Sequence, residues 1–153
     1  MKEDHIINKH DDREEKLRSI FLAAPVGIGM VCNRVILEAN DTLCRMTGYS
    51  KAEIIGKNSS FLYPTMDEYN YVGEEKYRQI RKTGIGTVET RWKKKDGTII
   101  DIILSSSALD REDFSKGVTF TALDITERKK TENALAASEI KYRELVELAV
   151  DGI

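Results

Sequence analysis

The sequence predicts an α+β domain in which a β-hairpin and a three-stranded antiparallel meander are separated by helices. Three observations predict this class. Two short apolar runs flank a turn-forming dipeptide at 33–34, helix-capping patterns fill 40–84, and strand-like runs joined by turn chemistry occupy 88–125. Amphipathic helical patterns flank the domain at 11–24 and 127–150, outside a predicted body at 25–126.

The first predicted helix covers 11–24 and follows a polar tail at 1–10. Asp11 or Asp12 can cap it. Its apolar residues share one helix face, at the spacing i, i+3, i+4, i+7, and are Leu17, Ile20, Phe21 and Ala24. Because this face has no place inside the hairpin, we expect it to cover the sheet or to pair with a second chain.

The hairpin is predicted from the apolar runs 27–32 and 35–39. The dipeptide between them begins with asparagine, which tolerates the positive φ that a two-residue turn needs. Two short helices follow. Asn40 caps the first, and the capping box Ser50-x-x-Glu53 begins the second.

A second capping box, Thr65-x-x-Glu68, begins the one long interior helix. Its predicted core face carries Met66, Tyr69, Gly73, Tyr77 and Ile80. The meander is predicted as strands at 88–94, 99–104 and 118–125. Strand alternation directs one set of middle-strand residues into the core, namely Ile100, Ile102 and Leu104.

The last helix is predicted at 127–150, and its heptad positions form a weak coiled-coil pattern. The N-terminal helix recurs near the C-terminus at one constant offset. Leu17, Ile20, Phe21, Ala24, Gly27 and Ile28 reappear as Tyr142, Leu145, Val146, Ala149, Gly152 and Ile153. This repeat predicts that a second copy of the domain begins within 139–153, as part of a longer protein.

Composition excludes several function classes. The chain has 153 residues, 24 basic and 26 acidic, for a net charge of −2, which argues against a nucleic-acid footprint. No apolar stretch is long enough to span a membrane, and two cysteines fit a reducing compartment, so a cytoplasmic location is expected. No nucleophile elbow or phosphate loop appears, and no close cysteine or histidine pairs predict a metal site, so we expect no catalysis and no metal.

Several segments together resemble the PAS domain family, including the PAC motif that forms its C-terminal half. They are residues 20–28, Asn40 with 48–56, Glu89-x-Arg91, 95–97 and 124–129. The resemblance implies a five-stranded antiparallel sheet with helices on one face and a small cavity between them. It also implies flanking helices that carry a signal to an effector, often a histidine kinase, and so a sensory or relay module.

The predicted cavity wall is mostly apolar, as a small-molecule site requires. The candidates are Met30, Leu43, Met46, Phe61, Tyr69, Tyr77, Ile102, Leu104 and Phe120. The same residues fill a core equally well, and that alternative stays open. Histidine-ligated haem is argued against because the only histidines, His5 and His10, precede the domain.

The segment 56–62 resembles that of the flavin photoreceptors, but Ser59 stands where they keep a reactive cysteine, so no flavin adduct is expected. Cys32 and Cys44 are interpreted as small buried hydrophobes, with a redox pair as the alternative. We therefore assign no cofactor and leave the ligand unidentified.

The signal is expected to leave where the last strand becomes the last helix. Asp124 and Arg128 lie one turn apart and can meet there, while Thr126 caps the helix. A homodimer is expected, with a histidine kinase and a second PAS domain in the same chain. The alternatives are a structural dimerisation spacer and a flavin-binding redox sensor.

Overall fold

The computed structural model describes the backbone of residues 2–151 and the side chains of residues 11–151. Ten helices and strands and two short 3₁₀ turns, Ser59–Leu62 and Phe114–Lys116, follow one another in the described range. The elements are α1 (Lys2–Ala23), β1 (Gly27–Cys32), β2 (Val35–Ala39), α2 (Asp41–Thr47), α3 (Lys51–Ile54), α4 (Met66–Thr83), β3 (Ile85–Lys93), β4 (Ile99–Ala108), β5 (Val118–Asp124) and α5 (Thr126–Asp151).

The five strands form one antiparallel sheet in the order β2-β1-β5-β4-β3, which confirms the predicted fold class. The hairpin bounds are as predicted. Cys32 pairs with Val35, and the two turn residues Asn33 and Arg34 have φ of 50° and 66°, as a two-residue hairpin turn requires. The three later strands form the predicted meander.

The core lies between one face of the sheet and the helices α2, α3 and α4. The strand alternation of β4 buries Ile100, Ile102 and Leu104, as predicted. The helices contribute further fully buried side chains, among them Leu43 and Ile54. Apolar burial of this kind contributes about 1.5–3 kcal/mol for each large side chain.

Asn40 is the buried polar residue that joins the N-terminal segment to the domain. Its Oδ1 accepts from the backbone N–H groups of Ile28 and Leu43, both at 2.9 Å. Its Nδ2 donates to the carbonyl oxygens of Phe21 and Val26 at 2.9 and 3.0 Å. The side chain is fully buried with both its oxygen and its nitrogen satisfied, so it caps α2 and anchors the entry to β1 together.

The flanking helices differ in part from the predictions. Helix α1 begins at Lys2 rather than Asp11, so the expected polar tail is largely helical. Leu17 and Ile20 are 67% and 64% exposed, so within this single chain the apolar face of α1 does not cover the sheet. Helix α5 has the predicted extent, and its described side chains are exposed from Lys130 onward. The last two residues of the expected repeat, 152 and 153, lie outside the described residues.

The predicted inner face of α4 was partly wrong. Met66 is 57% exposed, whereas Val72, Gly73, Lys76 and Ile80 are buried. The reason is that the helix packs closely across β3 at Gly86. A Cβ built at Gly86 would lie 2.4 Å from the Lys76 carbonyl oxygen, so only glycine permits this approach. The contact turns the face bearing Lys76 toward the sheet.

None of the helices within residues 2–151 combines the length and the apolar character that crossing a bilayer demands.

Candidate ligand cavity and signal junction

A small cavity lies between α4, the first 3₁₀ turn and the sheet. Its volume of about 20 Å³ accommodates a guest of only a few non-hydrogen atoms, since about 10–15 Å³ on this measure suffices for one water. The lining residues are Val31, Arg34, Ile36, Ser59, Leu62, Tyr63, Lys76, Trp92, Leu104 and Phe120.

Arg34 reaches the cavity from the hairpin turn. Its guanidinium carbon lies 3.4 Å from the centroid of the Tyr69 ring, and Nη1 donates to the Tyr69 carbonyl oxygen at 2.7 Å. Nη2 is buried and has no hydrogen-bond partner. The φ of 66° at Arg34 is a region where residues other than glycine and asparagine lose about 1–2 kcal/mol. The turn therefore holds this arginine at an energetic cost.

Gly73 on α4 makes room for this guanidinium. A Cβ built at Gly73 would lie 2.6 Å from the Arg34 Nη1 atom, closer than side-chain atoms approach one another. Glycine within a helix costs about 1 kcal/mol relative to alanine. The packing of Arg34 gives the physical reason for glycine at this position.

Lys76 is the second cation of the cavity. The residue is only 4% exposed, and no salt bridge to Lys76 or Arg34 forms within residues 11–151. Burial, and secondarily the positive charge of Arg34, lowers the pKa of Lys76 to about 8. The cavity thus holds two cationic side chains and no acidic one among its lining residues.

Three aromatic rings form the opposite wall. Trp92 packs edge-to-face against Tyr63 and Phe120, with ring centroids 6.3 and 6.4 Å apart. Burial raises the pKa of Tyr63, and the neighbouring Trp92 and Arg34 only partly oppose that rise. Although the Trp92 indole lies beside the phenol, its Nε1–H is buried without a partner in hydrogen-bonding geometry. The wall therefore contributes an unsatisfied donor as well as apolar surface.

Of the nine residues predicted to line the cavity, the structure places Leu104 and Phe120 there. Leu43 and Ile102 are wholly buried in the core beside it, and the half-buried residues packed against that core are Met46, Phe61, Tyr69 and Tyr77. Tyr69 contributes indirectly by holding Arg34. Met30 was misplaced, because the core-facing residues of β1 are Gly27, Gly29 and Val31, and Met30 points away near Gly117.

The sequence reasoning missed Arg34, Tyr63, Lys76 and Trp92. Two signals could have found the cations. Arginine follows asparagine in a two-residue hairpin turn, where glycine is the usual choice. Lys76 lies at the four-residue spacing of Val72 and Ile80, so it shares their buried helix face despite its charge.

The junction at the end of β5 is fastened to β4. The Asp124 Oδ1 atom accepts from the Thr126 backbone N–H at 2.9 Å and from its hydroxyl at 2.6 Å. The Thr126 Oγ1 atom accepts from the Asp101 N–H at 2.9 Å, and the Ile125 N–H donates to the Asp101 carbonyl at 2.8 Å. Asp124 therefore forms the turn that starts α5, while Thr126 ties it to the sheet.

The predicted contact between Asp124 and Arg128 is absent. Arg128 projects along the helix and pairs with Glu132 at 3.0 Å, as i,i+4 neighbours do. The residue that returns to the sheet is Lys129, which forms ion pairs with Glu89 on β3 and, at 3.8 Å, with Asp101 on β4. Sequence reasoning missed Lys129, although Glu89 and Lys129 both lie in segments that carried the family resemblance.

Both cysteines are free thiols. Cys32 donates to the Ser115 carbonyl oxygen at 3.0 Å, and burial raises the pKa of Cys44. A raised pKa disfavours the reactive thiolate at Cys44. Within residues 11–151, no group of three metal-binding side chains comes together.

Comparison with known proteins gives consistent matches. A family profile described as "PAS domain" matches residues 25–127. The sensor protein TdiS of Thauera aromatica is 31% identical over 83% of this chain and 23% of its own length. Sporulation kinase A of Bacillus subtilis is 28% identical over 77% of this chain and 19% of its own length. The chain thus spans less than a quarter of either relative.

Among solved structures, the chain is similar to the PAS domain of a LuxR-family transcriptional regulator from Burkholderia thailandensis in complex with ethanol. The identity is 27% and the TM-score is 0.66, over 71% of this chain and 96% of that one.

Proposed function

Because this chain belongs to the PAS domain family, we propose that it is a sensory or relay module of a larger signal-transduction protein. It detects a small molecule in the cavity lined by Arg34, Lys76 and Trp92, and it passes the change to an effector through α5. The observation that carries this proposal is a pair of cations, the buried Lys76 and the half-buried Arg34, in a small cavity that Phe120 of β5, the strand leading into α5, also lines. The ethanol held by the structural neighbour supports a guest of this size.

The proposed route of the signal runs through β3 and β4. Trp92 and Leu104 line the cavity on the inner face of these strands, and Glu89 and Asp101 hold Lys129 from the outer face. A guest that changes the twist of the two strands therefore alters the hold on the first turns of α5. A bias of a few kcal/mol between two helix arrangements is enough to switch an effector.

The proposed effector is a histidine kinase in the same polypeptide, and the module itself performs no catalysis. The sensor protein and the kinase among its relatives support this assignment. A cytoplasmic location belongs to the same proposal and is supported by the two free thiols. The helical repeat at 139–153 supports a second PAS domain downstream.

A structural dimerisation spacer is the second proposed function. The exposed apolar residues of α1 and α5 favour it, because both helices extend from the domain without covering them. A flavin-binding redox sensor has less support, since the cavity is small and Ser59 stands at the position of the reactive cysteine.

Mass spectrometry separates these functions. The purified chain is examined by absorbance spectroscopy and, after denaturation, by mass spectrometry of the released small molecules. The sensory proposal predicts a colourless small guest that copurifies with the chain. A flavin absorbance spectrum would favour the redox sensor. If neither measurement detects a bound molecule, the result would favour the spacer.

A further inference from the structure

We propose that the cavity is a binding site for a small carboxylate anion, held by Arg34 and Lys76. This inference rests on the sensory function proposed above and names its ligand class. Three independent features of the cavity point to the anion: its charge, its unsatisfied hydrogen-bond donors and its shape.

The charge of the cavity is unbalanced. Lys76 is 4% exposed and Arg34 has a buried Nη2 atom, yet no acidic side chain lines the space. An isolated buried charge is strongly unfavourable, and buried charges in proteins are normally paired. Glu68 is the nearby acidic residue with a buried oxygen, but its other oxygen binds Arg91 at 2.9 Å and the residue does not line the cavity. A bound anion would supply the counter-charge that the lining residues lack.

Two hydrogen-bond donors of the cavity also lack acceptors. Arg34 Nη2 and Trp92 Nε1 are buried without an acceptor in hydrogen-bonding geometry, although the Tyr63 phenol lies near both, and each such group costs about 1–3 kcal/mol. The half-buried Ser59 adds a hydroxyl to the lining. A carboxylate carries about four acceptor sites on two oxygens, and guanidinium groups match this geometry. A neutral alcohol offers a single oxygen with two acceptor lone pairs and would leave both charges uncompensated.

The shape of the cavity favours an organic anion over an inorganic one. The remaining wall is mostly apolar and consists of Val31, Ile36, Leu62, Leu104 and Phe120 together with Tyr63. Phosphate and sulfate would place oxygens against these side chains, whereas a short-chain carboxylate places a methyl group there. The volume of about 20 Å³ suits a guest of about the size of acetate.

Trp92 makes the test direct because it is the only tryptophan in the chain. The 153-residue chain is titrated with sodium acetate at constant ionic strength, with sodium chloride as the balancing salt, and the tryptophan emission is recorded. We expect a saturable change. Acetamide, which has the same shape without the charge, should bind at least about tenfold more weakly, since charge-assisted hydrogen bonds contribute about 1.5–3 kcal/mol.

Substitutions test whether acetate binds in this cavity. Lys76→Met should weaken acetate binding at least about tenfold, while Lys82→Met, on an exposed part of the same helix, should leave it unchanged. Gly73→Ala favours the helix but displaces the Arg34 guanidinium, so it should weaken acetate binding in a folded protein.

Several outcomes would overturn the assignment. If acetamide saturates as tightly as acetate, the cavity senses a neutral molecule, and the anion inference fails while the sensory function stands. If nitrate or phosphate binds more tightly than acetate, the ligand is an inorganic anion. If acetate gives no saturation, or if Lys76→Met binds it like the unaltered chain, the site is not a carboxylate site. None of these results depends on the copurification measurement that tests the sensory function.

Discussion

Lys76 and Arg34 occupy positions that their side chains ordinarily avoid. Lysine is among the residues least often fully buried, and arginine is uncommon at positive φ. Each nevertheless faces the same cavity, Lys76 from the middle of α4 and Arg34 from a hairpin turn. Residues in disfavoured environments cluster at functional sites, where other contacts maintain them.

Burial of Lys76 predicts a characteristic pH dependence of stability. The pKa of its side chain is about 8 in the folded chain and about 10.5 unfolded, so the unfolded state binds more protons between these values and stability rises with pH. The charged and titratable side chains around it are Arg34, Tyr63 and Tyr77, and burial raises the pKa of both tyrosines above its ordinary value.

Lys76→Met removes the buried charge. At pH 7, without added carboxylate, the variant should be more stable than the unaltered chain by on the order of 1–3 kcal/mol. The difference should shrink toward pH 10, as measured by urea unfolding at several pH values. Lys82→Met serves as the control and should show no such convergence. Stability curves for Lys76→Met and the unaltered chain that stay parallel would count against a depressed lysine pKa.

Asn40 predicts a second effect at this scale. Asn40→Ala removes four hydrogen bonds around a fully buried side chain and should lower the free energy of unfolding by about 2–4 kcal/mol. Asn58→Ala removes an exposed cap of the first 3₁₀ turn and should cost about 1 kcal/mol or less. Equal losses from the two substitutions, measured by chemical denaturation, would contradict the anchoring role of Asn40.

At the level of elements, local sequence signals predicted much of the fold. Turn chemistry at Asn33 and the capping residues Asn40 and Ser50 act on their own neighbours, so the hairpin and both short helices begin where expected. Helix faces depend on partners far along the chain. Met66 was assigned inward because it is apolar, but the contact of Lys76 with Gly86 fixes the rotation of α4.

The cavity and the junction were harder to predict for the same reason. Arg34 and Lys76 converge only through tertiary packing of the hairpin against α4. At the junction, the i,i+4 partner Glu132 satisfies Arg128, whereas Lys129 is aimed at the sheet. Spacing along the sequence shows which residues share a helix face, but it does not show which strand that face meets.

Lys129 provides a test of the junction. Lys129→Gln removes the ion pairs to β3 and β4, so amides in the first turns of α5 should exchange with solvent faster. Global stability should fall by less than about 1 kcal/mol, because the pairs are exposed. Lys130→Gln is the matched control, since Lys130 pairs only within α5. Unchanged exchange in Lys129→Gln would show that the ion pairs do not hold the helix.

Substitution of Asp124 tests whether the junction passes the signal to the effector. Asp124→Ala removes the turn that starts α5 and should uncouple the stimulus from effector activity in the full-length signalling protein, while the isolated domain stays folded. The measurement compares effector activity with and without stimulus, together with the circular dichroism of the domain. Normal stimulus-dependent output would remove Asp124 from the signalling route.

At the scale of the whole molecule, the domain is a packed body from which two helices extend with exposed apolar side chains. Those on α1 include Leu17 and Ile20, and those on α5 include Leu135, Tyr142 and Leu145. Exposed apolar stripes on helices are typical of partner surfaces. A parallel association of two chains would bury both helices and would place the two signal outputs side by side.

Multi-angle light scattering across a concentration series should detect a dimer. Replacing Leu17 and Ile20 together by glutamate should shift the molecule toward monomer by placing charges in the interface. Leu22→Glu, on another face of α1, should have little effect. A chain that stays monomeric at the highest concentration would contradict the dimer.

The claim that cavity occupancy alters the hold on α5 is tested most directly by nuclear magnetic resonance. The isotope-labelled chain is titrated with acetate, and the Trp92 indole signal is followed together with the amide signals of Asp101, Thr126 and Lys129. We predict that cavity and junction signals move together with one midpoint. A Trp92 signal that saturates while the junction amides stay fixed would contradict the relay.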